Sequence, residues 1–96
     1  MRIELLDSAE KDLLDGFKFY ELQSKGLGSY FLESLFSDID SLYLYTGIHA
    51  IHFGYNRMLS KRFPFAIYYK SDKEIIRVYA ILDCRRKPAW IQNRLS

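Results

Sequence analysis

A single cysteine, Cys84, is all the thiol chemistry the chain has. That excludes an internal disulfide framework and any zinc site built of four thiolates. No run approaches the roughly 18 apolar residues of a membrane span. The opening MRIELLDSAEKD lacks the cation-then-apolar layout of a secretory signal. The expectation is a cytoplasmic protein in a reducing environment. A glycine-rich phosphate loop, a serine-centred elbow and a pair of placed carboxylates are also missing, so no conventional hydrolase constellation is written here. His49 and His52 stand three apart, but no cysteine or carboxylate between residues 47 and 60 completes a set of three ligands. They read as loop histidines, and neither a metal nor a cofactor is expected. Cys84 adjoins two arginines, which would lower its pKa. Without a base or an oxyanion site beside it, it reads as a small strand-end residue.

What the chain does have is apolar bulk. Of its 96 residues 49% are hydrophobic, with eight tyrosines and seven phenylalanines, enough for a core without covalent staples. The length allows one domain, residues 1–96, and no second core.

Periodicity divides the chain. Arg2-Ile3-Glu4-Leu5-Leu6 suits a short opening strand. Asp7 or Ser8 then caps a helix, with Glu10 three after Asp7 as in a capping box. Ala9, Leu13, Phe17 and Tyr20 fall on one face of it, and Lys25-Gly26-Leu27-Gly28 ends it. Phe31, Leu32, Leu35, Phe36, Ile39, Leu42 and Tyr43 repeat at helical spacing in a second helix that Gly47 stops. The short glycine-bearing link predicts an antiparallel helical hairpin. Beyond Gly47 the period falls towards 2. Strands are expected at residues 55–61, 65–69 and 74–82, with Ser71-Asp72-Lys73 as a turn and Pro64 between strands. Pro88 opens a short last helix. The fold class is α+β, ordered β-α-α-β-β-β-α, with the hairpin packed on a small, largely antiparallel sheet.

Charge is unevenly spread. Residues 1–48 carry four Lys/Arg against nine Asp/Glu, a balance of −5; residues 49–96 carry ten against three, a balance of +7. Such asymmetry points to a nucleic acid or an acidic partner for the second half, unless folding neutralises it internally. The cations cluster at strand ends: Arg57, Lys61 and Arg62 around the first meander strand, then Arg85, Arg86 and Lys87 after the longest one, with Trp90 one helical turn on. Arginine offers a planar fork suited to phosphate, and an aromatic ring can stack on a base. These seven are the candidate target-binding residues. The ordinary alternative is a solvated rim, with Trp90 anchoring the last helix to the core.

Four segments together resemble the RelE/ParE superfamily of type II toxin–antitoxin toxins, over nearly the whole chain: SAEKDLLDGFKFYE, GLGSYFLESL, KRFPFAIYY and IIRVYAILDCRRKPAW. The resemblance implies one of two activities. RelE-like members are ribosome-dependent nucleases that cut messenger RNA with Lys, Arg and often Tyr side chains; here Lys61, Arg62, Arg85 and Arg86 would be the candidates. ParE-like members bind and stall DNA gyrase. RelE-like enzymes commonly carry an arginine in the second meander strand, where this chain has Ala66, and a C-terminal tyrosine, where Trp90 and Ile91 stand. Acid–base cleavage of RNA needs such groups, so the resemblance leans to the ParE-like branch, with no catalytic residue assigned. A family member that has lost toxicity is the third possibility. The resemblance also implies a cognate antitoxin whose extended tail wraps the toxin, with Leu13, Phe17, Tyr20, Phe31 and Leu35 of the hairpin as expected contacts.

Overall fold

A computed structural model describes residues 1–96. The elements run β1 (Arg2–Leu5), α1 (Asp7–Gln23), α2 (Leu27–Asp40), α3 (Leu42–Tyr45), β2 (Ile51–His52), β3 (Tyr55–Leu59), β4 (Phe65–Asp72), β5 (Ile75–Asp83) and α4 (Pro88–Leu95). The five strands form one sheet in the order β1-β5-β4-β3-β2. Only the β1–β5 pairing is parallel. The fold is α+β, as expected, with one helical turn and one two-residue strand added between α2 and β3.

Alternation along the strands builds two cores. On one sheet face, Met58, Phe65, Ile67, Tyr69, Ile76 and Val78 pack under the hairpin residues Ala9, Leu13, Tyr20, Phe31 and Leu35. On the other, Ala66, Tyr68, Ala80 and Leu82 receive Ile91 and Leu95 of α4. A register shift between Tyr68 and Tyr69 leaves Tyr79 as an extra residue in β5. An extra residue in one strand of a ladder inverts the facing of everything after it. Val78 therefore belongs to the hairpin core and Ala80 to the α4 core, and Ile81 returns to the hairpin side.

The hairpin closes tightly because two positions lack a side chain. A Cβ on Gly16 would lie 2.5 Å from the Phe31 ring, and one on Gly28 would lie 2.6 Å from the Phe17 carbonyl. Glu21 secures the turn from within α1: its carboxylate accepts from Gly26 N–H at 3.0 Å and Gly28 N–H at 2.9 Å. It thus supplies acceptors to the unpaired amides at the start of α2.

Local expectations fail where tertiary contacts compete. The capping box at Asp7 or Ser8 with Glu10 does not form. Leu6 is the N-cap with no side-chain cap, because its own N–H is bound to the Val78 carbonyl and the chain turns directly from sheet into helix. Ser8 is free to donate to the Tyr79 carbonyl at 2.7 Å. The second helix breaks at Ser41, whose hydroxyl donates to the Asp38 carbonyl at 2.6 Å. Side-chain bonds of this kind compete with the helical ladder. The first meander strand ends at Leu59, before Lys61, because Ser60 donates to the buried Asp38 carboxylate at 2.6 Å and pulls the chain towards α2.

Candidate functional site

Beyond the four residues of β1, the outer edge of β5 is unpaired, and the sheet solves this with side chains. Ser8 takes the Tyr79 carbonyl. Asp12 of α1 accepts from Ile81 N–H at 3.0 Å. Arg94 of α4 reaches round the same edge to Asp12 at 2.8 and 2.9 Å. One carboxylate therefore links both helical layers through the strand between them.

Next to this clasp, the cations of the second half gather. Phe65 of β4 is paired with Asp83 of β5, and Cys84 N–H donates to the Pro64 carbonyl at 2.8 Å. The loop bearing Lys61 and Arg62 therefore lies against the loop bearing Arg85, Arg86 and Lys87. Five of the seven expected target-binding residues share one end of the sheet. Their environments differ. Asp83 grips Arg85 with both oxygens, at 2.7 to 3.2 Å, and accepts from its backbone N–H. The Arg85 guanidinium holds the Asp83 carboxyl below the usual carboxylate range. Arg86 lies over the Trp90 ring at 4.4 Å, and Arg94 stands 5.7 Å from it. Lys61, Arg62 and Lys87 are exposed and form no ion pair.

Arg57 is set apart, on the β3 face opposite the hairpin and beside Tyr68. It is also the cation that Cys84 feels. Burial raises the Cys84 pKa, and Arg57 only partly offsets this. The expected lowering by Arg85 and Arg86 fails because burial outweighs it and the neighbouring Asp83 carboxylate pushes the same way as burial. Tyr20, whose hydroxyl lies beside Arg85, is likewise raised by burial. Neither group is disposed to give up a proton near neutral pH.

A cleft of about 320 Å³ opens between α1 and α4, lined by Asp12, Asp15 and Phe19 on one side and Arg86, Trp90 and Arg94 on the other. It holds carboxylates as well as guanidiniums. Folding thus neutralises part of the charge asymmetry: Asp12 pairs with Arg94 and Glu4 with Arg77, each joining the acidic half to the basic one. Among the cations left without an ion pair, Lys61, Arg62 and Lys87 are gathered at this end of the sheet.

The expected antitoxin contacts need correction. Leu13, Tyr20, Phe31 and Leu35 are at most 8% exposed, and Phe17 is half-buried. Their helical periodicity marks the face turned to the sheet, not the face left for a partner. The apolar side chains the hairpin does expose are Leu14, Phe19, Leu22, Tyr30 and Phe36. Neither histidine joins a ligand cluster; no group of three or more His, Cys, Asp or Glu could hold a metal. His49 is bonded to the Tyr69 hydroxyl instead. No helix is long and apolar enough to cross a membrane.

Among solved structures, a chain of the chromosomal ParDE TA system from P. aeruginosa superposes with a TM-score of 0.72. The two chains share a fold. The match covers 84% of this chain and 92% of the other, at 16% sequence identity. No family model matches the sequence, and no curated protein matches it. The two chains have the same architecture with few identical side chains, as expected when apolar pattern and element order rather than particular residues specify a fold.

Proposed function

We propose that this chain is the toxin of a type II toxin–antitoxin pair, of the RelE/ParE superfamily and ParE-like. It acts by binding DNA gyrase and is neutralised by a cognate antitoxin. The observation that carries this reading is the fold shared over 92% of a chain from a ParDE system. The chemistry of the basic end supports binding rather than catalysis. Arg85 is held by Asp83, Arg86 rests on Trp90, and the nearby Tyr20 and Cys84 have pKa values raised by burial. Such a surface supplies fixed positive charge and planar donors to an acidic protein. Lys61, Arg62 and Lys87 make the first electrostatic contact, with Arg86 and Trp90 as the ordered centre behind them. Arg57, on the far face, lies outside this patch. The antitoxin covers the outer face of the hairpin through Leu14, Phe19, Leu22 and Tyr30.

One observation favours a second reading. Lys61 and Arg62 stand unpaired on the same end as Arg85 and Arg86, as a ribosome-dependent messenger RNA endonuclease would need for a charged transition state. Two measurements separate the readings. Purified chain added to DNA gyrase should inhibit supercoiling, and induced cells should lose thymidine incorporation before leucine incorporation. Gyrase indifferent to the chain, with protein synthesis falling first, would overturn the ParE-like assignment. If both syntheses continue, the chain is not a toxin.

A further inference from the structure

We infer that the β2–β3 hairpin and the turn before it form a surface for a second copy of this chain, the two copies pairing β2 against β2 about a two-fold axis. Residues 41–56 contain no Asp, Glu, Lys or Arg, although 27% of the chain is charged. Within this stretch Tyr43, Leu44, Tyr45, Ile48, Ile51 and Phe53 are 45 to 80% exposed. β2 is the outermost strand of the sheet. Native sheets ordinarily protect such an edge by keeping it short, as the two-residue β2 is, and by adding charge, proline or a covering element. Around this short strand there are exposed apolar side chains where the charge would be.

The tip of the hairpin adds an independent observation. His52 pairs with Tyr55 across a two-residue loop, and both loop residues have positive φ, 54° at Phe53 and 86° at Gly54. A loop of this kind favours asparagine or aspartate before the glycine. A phenylalanine there strains the backbone while its ring remains 45% exposed. Strain held at a surface marks a place where something binds.

The missing charge also selects the occupant. A two-fold interface lays a patch against its own image, so any fixed charge near the axis would face its like. A patch without charge can face itself. Its six exposed side chains offer roughly 100 Å² each, on the order of 600 Å² per copy. That is slightly below the roughly 800 Å² per partner of a standard interface, so the dimer is expected to dissociate in the micromolar range.

Sedimentation of the purified chain across that range tests the inference, whatever the chain's target. The expected result is a rise from monomer to dimer mass. Leu44→Lys and Ile51→Lys should each remain monomeric with unchanged circular dichroism and melting, since both positions are exposed. Mixing Ile51→Lys with Ile51→Glu should restore the dimer. Phe53→Asn should weaken dimerisation by about tenfold or more while raising the melting temperature of the monomer, a combination that a merely damaged fold would not give. Monomer mass throughout, or a dimer indifferent to Leu44→Lys and Ile51→Lys, overturns the proposal. So does a monomeric chain that loses a different protein partner through Leu44→Lys, for the surface would then belong to that partner.

Discussion

Replacing Asp12 by alanine should unfold this protein more readily than any other single truncation on α1 outside its apolar core. Two partners are lost at once. Ile81 N–H, on a strand edge covered by α1, has no other acceptor; orphaning such a donor costs about 1–3 kcal/mol. Arg94 loses its carboxylate, but its side chain is 33% exposed, and solvent screening reduces that contribution to about 1 kcal/mol. Together the loss is about 3 kcal/mol, and for a domain this size a melting temperature lower by roughly 12–24 °C. Asp12→Asn separates the two effects. It keeps an acceptor for Ile81 and gives up only the charge, at an expected cost of under about 1 kcal/mol. The small cost follows from the pKa of Asp12, which burial raises above the ordinary 3.8 against the opposing pull of Ile81 N–H and Arg94. Because the folded state holds this proton more tightly than the unfolded chain, the carboxyl contributes most below pH 3.8, and stability falls as pH rises through its folded pKa. Asp12→Asn should remove that decline. Urea unfolding with circular dichroism, at several pH values, measures all three proteins. An Asp12→Ala melting temperature within about 4 °C of wild type would show that water or another group satisfies Ile81, and the clasp would lose its assigned importance.

Asp83 should show the opposite pH dependence. Its hydrogen bonds from Arg85 lower its pKa, so its contribution is present above pH 3.8 and is lost as pH falls through the shifted value; a difference titration of wild type against Asp83→Asn would reveal this. Gly16→Ala places a methyl group 2.5 Å from a fully buried Phe31 ring and should cost about 1–3 kcal/mol by overpacking, measured by urea unfolding. Removing Lys61 and Arg62 together should leave melting unchanged, because neither makes an ion pair. It should raise the concentration needed to inhibit gyrase supercoiling by about tenfold, most at low salt; undiminished inhibition would exclude the rim from the target surface.

Much of the architecture is legible locally. The 3.6-residue recurrence from Phe31 to Ile39, the glycines at residues 26 and 28, and the alternation in Phe65-Ala66-Ile67-Tyr68-Tyr69 each report the backbone that carries them. The proline at the start of α4 is equally direct. The candidate site was half legible. The clusters at residues 61–62 and 85–87 announced themselves as charge, and the Phe65–Asp83 register brought them together as strand order required. The hairpin contacts were misread for a physical reason. Periodicity identifies the apolar stripe of a helix, and in a two-layer domain that stripe is consumed by the sheet. The signal for β2 was present in Phe53-Gly54, but phenylalanine is not a residue that a two-residue turn usually recruits.

By itself, then, the sequence determined the order of the main helices and strands and that its basic residues gather at strand ends. These properties depend on residues within a few positions of one another. Tertiary structure alone decided that Asp12 meets Arg94, eighty-two residues away, and that Cys84 feels Arg57 of a different strand. It also decided that an extra residue at Tyr79 divides β5 between two cores. Those outcomes turn on which groups are desolvated together, and desolvation is a property of the packed chain that no local spacing encodes.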